Sequence, residues 1–154
     1  MTSTQKTELN YDEFYNEDFY SWVKITAKLL REKRFNEIDL DNLIDEVETL
    51  GRSERKAIKS NLKVLLMHLL KYQYQPEKRS KSWLVTIKEH RQRLQDDLKD
   101  SRSLKPYFQE IFTETYQQAR ELAALETDLP LEIFPLEFPF TPEQTLDYNY
   151  LPES

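Results

Sequence analysis

Apolar side chains recur along most of this chain at the three- and four-residue spacing of amphipathic helices. From Asn16 to about Arg34, the set Phe19, Trp22, Val23, Thr26, Leu29 and Leu30 makes one stripe. Glu17 and Asp18 lie in its first turn and Arg31, Lys33 and Arg34 in its last, where their charges suit the helix dipole. A second, short and acidic run opens at Asp39 or Asp41, is expected to bury Leu40, Leu43, Ile44, Val47 and Leu50, and reaches Gly51. Ser53 is placed to cap a third helix with the stripe Ile58, Leu62, Leu65, Leu69 and Tyr72, widened by Leu66 and Leu70. Pro76 stops that helix, because proline has no amide donor and pushes Gln75 out of the helical region, so a corner forms near residues 75–79. Ser80 or Ser82 caps a fourth helix carrying Trp83, Ile87, Leu94 and Leu98 to about Asp100. Ser103, with Pro106 in the first turn, opens a fifth holding Leu104, Phe108, Ile111, Phe112, Thr115, Ala119 and Leu122.

Beyond Asp128 the pattern breaks. Five of the seven prolines fall there among many Leu, Ile, Phe and Tyr, which rules out a long helix and a central strand yet is unlike a solvated tail. The segment is expected to wrap the helices, with one short helix where Thr141, Pro142 and Gln144 read as cap, first-turn proline and capping-box partner. An extension ordered only by a partner is the competing reading. The fold class predicted is all-α: an antiparallel bundle of about five helices wrapped by a proline- and aromatic-rich C-terminal segment. A single domain over residues 1–154 is expected, with a mobile lead-in at 1–15 pinned by Tyr11, Phe14 and Tyr15, the bundle at 16–127 and the wrap at 128–154.

Composition narrows the chemistry. The single glycine, Gly51, leaves few tight turns and disfavours a many-hairpin β protein. With no cysteine there is no disulfide, thiolate zinc site or cysteine nucleophile, which suits a cytoplasmic location. The first residues lack the apolar core of a signal peptide, and no apolar run approaches the ~20 residues needed to span a bilayer, so no membrane role is expected. The net charge of −6 hides a strong asymmetry: residues 1–50 carry 6 cations and 12 acids, residues 51–93 carry 12 and 3, and residues 94–154 carry 4 and 13. The basic block either pairs with its acidic neighbours or faces a polyanion.

Function would sit at the corner "HLLKYQYQPEKRSKSW", residues 68–83. An enzyme reading needs His68, Glu46 or Glu48, and Arg79 to meet in one cleft as a hydrolytic or metal-dependent centre. The spacing does not support it, since neither Glu-x-x-His nor His-Glu-x-x-His occurs and His90 stands beside Arg91 and Arg93. No metal ligand set and no cofactor are therefore expected, and His68 reads first as a structural histidine bonded to a carboxylate or to Arg79. A binding surface at 71–93 would use Lys71, Gln75, Lys78, Arg79, Lys81, Trp83 and Arg91. On the fourth helix an arginine at 79 or 91 can lie over Trp83 and still reach a carboxylate, or Arg79, Ser80 and Lys81 can hold an anion at the helix start. A nucleic-acid backbone binder would use Lys78, Arg79, Lys81, Lys88, Arg91 and Arg93, against which the pI near 5.1 weighs.

The stretch "DLDNLIDEVETLGRSERKAIKSNLKVLLMHLLKYQYQPEKRSKSW" and the ending "LPLEIFPLEFPFTPEQTLDYNYLPE" resemble the bacterial domain-of-unknown-function family 29 over roughly residues 11–153. The LGRSE turn, the corner, the RSxSW start and the aromatic-proline tail come in the family's order. Members often carry tryptophan where this chain has Tyr72, which keeps the corner aromatic. The resemblance implies an all-helical cytoplasmic protein with no established activity, cofactor or substrate. The function expected is a binding or adaptor module using the corner 71–93, with an unknown protein partner or a second copy in a homodimer.

Overall fold

The computed structural model describes residues 14–153, and every regular element among them is helical. The expected lead-in, Tyr11 included, lies outside the described residues up to residue 13. Two units are distinguished along the chain, Met1–Arg52 and Ser53–Ser154.

In the first unit a helical turn at residues 14–17 precedes α1, Phe19–Arg31. Asp18 caps α1: one carboxylate oxygen accepts from the Ser21 amide at 3.1 Å and the other from the Ser21 hydroxyl at 2.8 Å. At the other end Lys33 adopts a left-handed backbone, φ 60°, while the Lys33 and Arg34 amides donate back to the Leu30 and Leu29 carbonyls. This is the geometry in which glycine is usual. Arg34 then clasps Glu37 at 2.6 Å and Glu32 at 2.9 Å. Trp22, Thr26 and Leu29 are buried, whereas Phe19, Val23 and Leu30 of the expected stripe remain largely exposed.

The helices expected at 39–50 and 53–75 are one: α2 runs unbroken from Leu40 to Tyr74. Gly51 and Ser53 are interior positions rather than a stop and a cap. One glycine costs an isolated helix about 1 kcal/mol, too little to break a ladder continued by good helix formers on both sides. A second correction concerns burial, because Leu40, Ile44, Val47 and Leu50 are exposed and Leu43 only half-buried.

The second unit contains the core. From Ser53, α2 continues to Tyr74, α3 spans Lys81–Asp100 and α4 spans Lys105–Thr127. Glu54 meets Ser101 and Lys71 meets Trp83, so α3 runs antiparallel to α2; Arg55 meets Tyr107, Lys59 meets Glu114 and Lys71 meets Glu126, so α4 returns parallel to it. Between them Ile58, Leu62, Leu65, Leu66, Leu69 and Leu70 pack against Ile87, Leu94 and Leu98 and against Phe108, Phe112, Tyr116 and Ala119. Ser80 caps α3 through the Trp83 amide as expected. Ser103 does not cap α4, which is preceded by a 3₁₀ turn at Arg102–Leu104 and has Leu104 at its N-cap. Asp128 ends α4 in the left-handed region, φ 57°, which aspartate tolerates better than most residues.

The C-terminal segment wraps this bundle as expected. Phe134 and Phe140 enter the core, Phe138 packs edge-on to Phe112 at 4.8 Å, and Phe134 meets Tyr74 at 5.5 Å. The short helix is α5, Pro142–Leu146, and its capping box is complete: the Gln144 amide donates to the Thr141 hydroxyl and the Thr141 amide to the Gln144 side chain, both at 3.0 Å.

Candidate functional site

The corner is built from the ends of α2 and α3. Pro76 opens a 3₁₀ turn, and the last carbonyls of α2 have no intrahelical donor, as at any helix C-terminus. Arg79 answers one of them, its Nε donating to the Tyr72 carbonyl at 2.7 Å while the guanidinium stacks over the Tyr72 ring at 4.1 Å. A cation there also suits the negative end of the helix dipole. The Nη2 of Arg79 is buried with no hydrogen-bond partner among the described residues.

Lys71 is buried rather than available. Its Nζ sits 4.8 Å from the Trp83 ring centroid and 3.6 Å from Glu126. The cation over Trp83 is therefore a lysine from α2 and not Arg79 or Arg91, and Trp83 is half-buried. Gln75 is buried at the corner itself.

Arg91 departs furthest from expectation. Placed on the binding face by sequence, it is 2% exposed. Its Nε donates to the Thr145 carbonyl at 2.8 Å and its Nη2 to the Gln144 carbonyl at 3.3 Å; Gln95 of the same helix donates to the Leu146 carbonyl at 2.5 Å. These three carbonyls end α5; the Asp147 amide answers that of Gln144 from within the chain's own turn, and α3 supplies donors to all three. Burial pushes the Arg91 guanidinium below its ordinary value, and the Asp147 carboxylate opposes that.

The same logic holds the rest of the C-terminal segment, residues 129–153, which lies as a strap across the bundle. Tyr116, Gln117 and Arg120 of α4 donate to the consecutive carbonyls of Pro135, Leu136 and Phe134 at 2.6, 2.6 and 2.9 Å. Sequence reasoning singled out none of these three, nor Gln95. Their signal was a polar set on a helix facing a segment whose prolines forbid a sheet ladder.

His68 is half-buried, and its Nδ1 lies 2.9 Å from the Val64 carbonyl of its own helix; among the described residues it makes no hydrogen bond to a carboxylate or to Arg79. Burial holds the imidazole below its ordinary value; the Val64 carbonyl opposes this and Lys71 adds to it. His68 lines neither the cleft between α3 and the C-terminal segment nor the smaller one at Tyr72 and Arg79. Glu46 and Glu48 belong to the first unit, where Glu46 accepts from the Tyr15 hydroxyl at 2.7 Å and Glu48 lies 3.8 Å from Arg52. Among the described residues no three His, Cys, Asp or Glu side chains group as metal ligands would.

Lys78, Lys81, Lys88 and Arg93 stay free on the surface, and no ion pair among the described residues uses them. On α3, Lys81, Leu84, Val85, Lys88 and Gln92 share one exposed face. Beside it a cleft of about 740 Å³ opens between α3 and the strap, lined by Leu84, Ile87, Lys88, Tyr148 and Leu151, with Arg91 beneath. A smaller cleft of about 470 Å³ adjoins at Tyr72, Arg79, Leu151 and Pro152.

No helix among the described residues is long and apolar enough to cross a membrane. No curated protein and no solved structure matches the chain. A family model, that of the domain of unknown function DUF29, matches residues 14–151, nearly the whole chain, and the chain belongs to that family.

Proposed function

We propose that the protein is a binding module and that the groove between α3 and the strap takes an acidic, apolar segment of a protein partner. The observation that carries this reading is one helix face on which exposed Leu84 and Val85 lie between Lys81 and Lys88, cations with no carboxylate partner among the described residues. Apolar side chains supply affinity there and the lysines supply orientation and encounter rate. The contact surface is narrower than the corner 71–93, because Lys71, Gln75 and Arg91 are buried and Arg79 holds the end of α2.

The test is a titration of the full chain with a labelled amphipathic peptide whose leucine seam is flanked by glutamates. Binding should weaken about tenfold or more in the Lys81→Glu/Lys88→Glu variant, the equivalent of about 1.4 kcal/mol. Equal binding to both proteins would sink the reading. Tighter binding of generic oligonucleotides than of the peptide at low salt would replace it with a backbone binder, since counterion release is most favourable there.

A further inference from the structure

We propose that the first turns of α2 form a second docking face, and that its occupant is a basic amphipathic helix of a protein partner. Leu40, Ile44, Val47 and Leu50 are 59%, 45%, 59% and 69% exposed. The first three recur at the four-three spacing of a helix-packing seam, and Gly51 continues that seam at the next position. Among the described residues nothing lies within 4 Å of where a Cβ on Gly51 would stand, so the seam ends in a notch where another backbone can come close. Helix propensity alone disfavours a glycine here, and close approach is what its missing side chain offers.

Charge decides the occupant. Asp41, Asp45 and Glu48 lie along one flank of the seam and are exposed, and residues 40–51 contain no cation. Arg52, the next residue along the helix after Gly51, stands 3.8 Å from Glu48. A second copy of this stretch would bring carboxylates against carboxylates, and a nucleic acid or anionic membrane would be repelled. An apolar seam edged by lysines or arginines satisfies both the leucines and the acids. This face has the opposite sign to the groove on α3 and does not depend on it; two faces of opposite preference would make the module an adaptor.

The probe is a synthetic helix of about three heptads with leucine at the seam positions and lysine on the flanks. Its affinity for the full chain is measured by calorimetry, beside a scrambled peptide of the same composition. Binding is expected to the patterned peptide, to fall tenfold or more in Val47→Glu and in Asp45→Lys/Glu48→Lys, and to survive Lys81→Glu/Lys88→Glu. All five positions are exposed, and unchanged helicity by circular dichroism checks that the fold persists. Equal binding of the scrambled peptide, insensitivity to the α2 variants, or no binding at low salt would overturn the proposal. So would sedimentation showing that the wild-type chain self-associates and that Val47→Glu abolishes this, since the occupant would then be a second copy.

Discussion

The two units apply the same helical periodicity to different ends. In Ser53–Ser154, seventeen buried apolar side chains form one cluster fed by three helices and the strap. In the first unit only Trp22 and Leu29 are buried apolar residues among those described, while nine large apolar side chains from Phe19 to Leu50 are exposed. Its elements are tied by polar and ring contacts instead: Tyr15 to Glu46, Trp22 to Asp39 at 3.3 Å, Asn42 to Asp39 at 2.7 Å, and Tyr15 edge-on to Trp22 at 5.0 Å. An amphipathic pattern thus states that a face is suited to burial and leaves open what buries it. In the second unit the helices and the strap supply the cover; in the first, Leu40, Ile44, Val47 and Leu50 stay exposed.

The contrast can be broken most strongly at the cores. Phe112→Ala should cost about 3–5 kcal/mol in denaturant unfolding, because the ring is buried against Phe108 and Phe138. Val47→Ala, at an equally apolar but exposed site, should stay within about 0.5 kcal/mol of wild type. A large loss at Val47 would mean that the first unit has a core after all. Next in size, Arg91→Met should cost about 2–3 kcal/mol by leaving the Gln144 and Thr145 carbonyls without their charged donor. Hydrogen exchange should then quicken around residues 142–151 before the helices loosen; uniform quickening would show that the strap and bundle open as one.

Tyr116→Phe should cost about 1 kcal/mol, the worth of one hydrogen bond to the Pro135 carbonyl. Burial pushes the Tyr116 phenol up to about 12. Its neutral form is therefore favoured by folding, so its contribution is complete below the ordinary value near 10 and is lost as pH rises through about 12. Wild type should lose stability over that interval more steeply than Tyr116→Phe, as pH-dependent unfolding curves can show. The smallest effect is a gain: Gly51→Ala should stabilise α2 by about 0.5–1 kcal/mol, seen as slower amide exchange near residue 51. A loss there would mean that the open space beside Gly51 is filled in solution.

What could be read from the sequence was what acts over one or two turns. Pro76, Ser80 and the Thr141–Gln144 box work within their own four residues, and each lies where its chemistry placed it. Gly51 and Ser53 misled for the same reason: both are local signals, and the helix formers around them outweigh a cost of about 1 kcal/mol. The corner was half legible. Its cations and aromatics were evident, but their partners were not, because Arg91 answers carbonyls more than fifty residues away and Lys71 chooses Glu126 on α4. An arginine on an apolar stripe reads as a surface residue until the carbonyls it serves are known, and nothing in periodicity names them.

The strap's fastening has a consequence for solubility. A segment rich in Leu, Phe and Ile that lies extended on a surface would ordinarily invite another extended chain to pair along its edge. Here Pro130, Pro135 and Pro139 have no amide hydrogen to offer, and the carbonyls of residues 134–136 already accept from α4. Three deleted donors and three occupied acceptors leave residues 130–139 only an interrupted row of hydrogen bonds for a stray strand to copy, so the apolar side chains of this stretch can serve the bundle with less risk of edge-to-edge pairing.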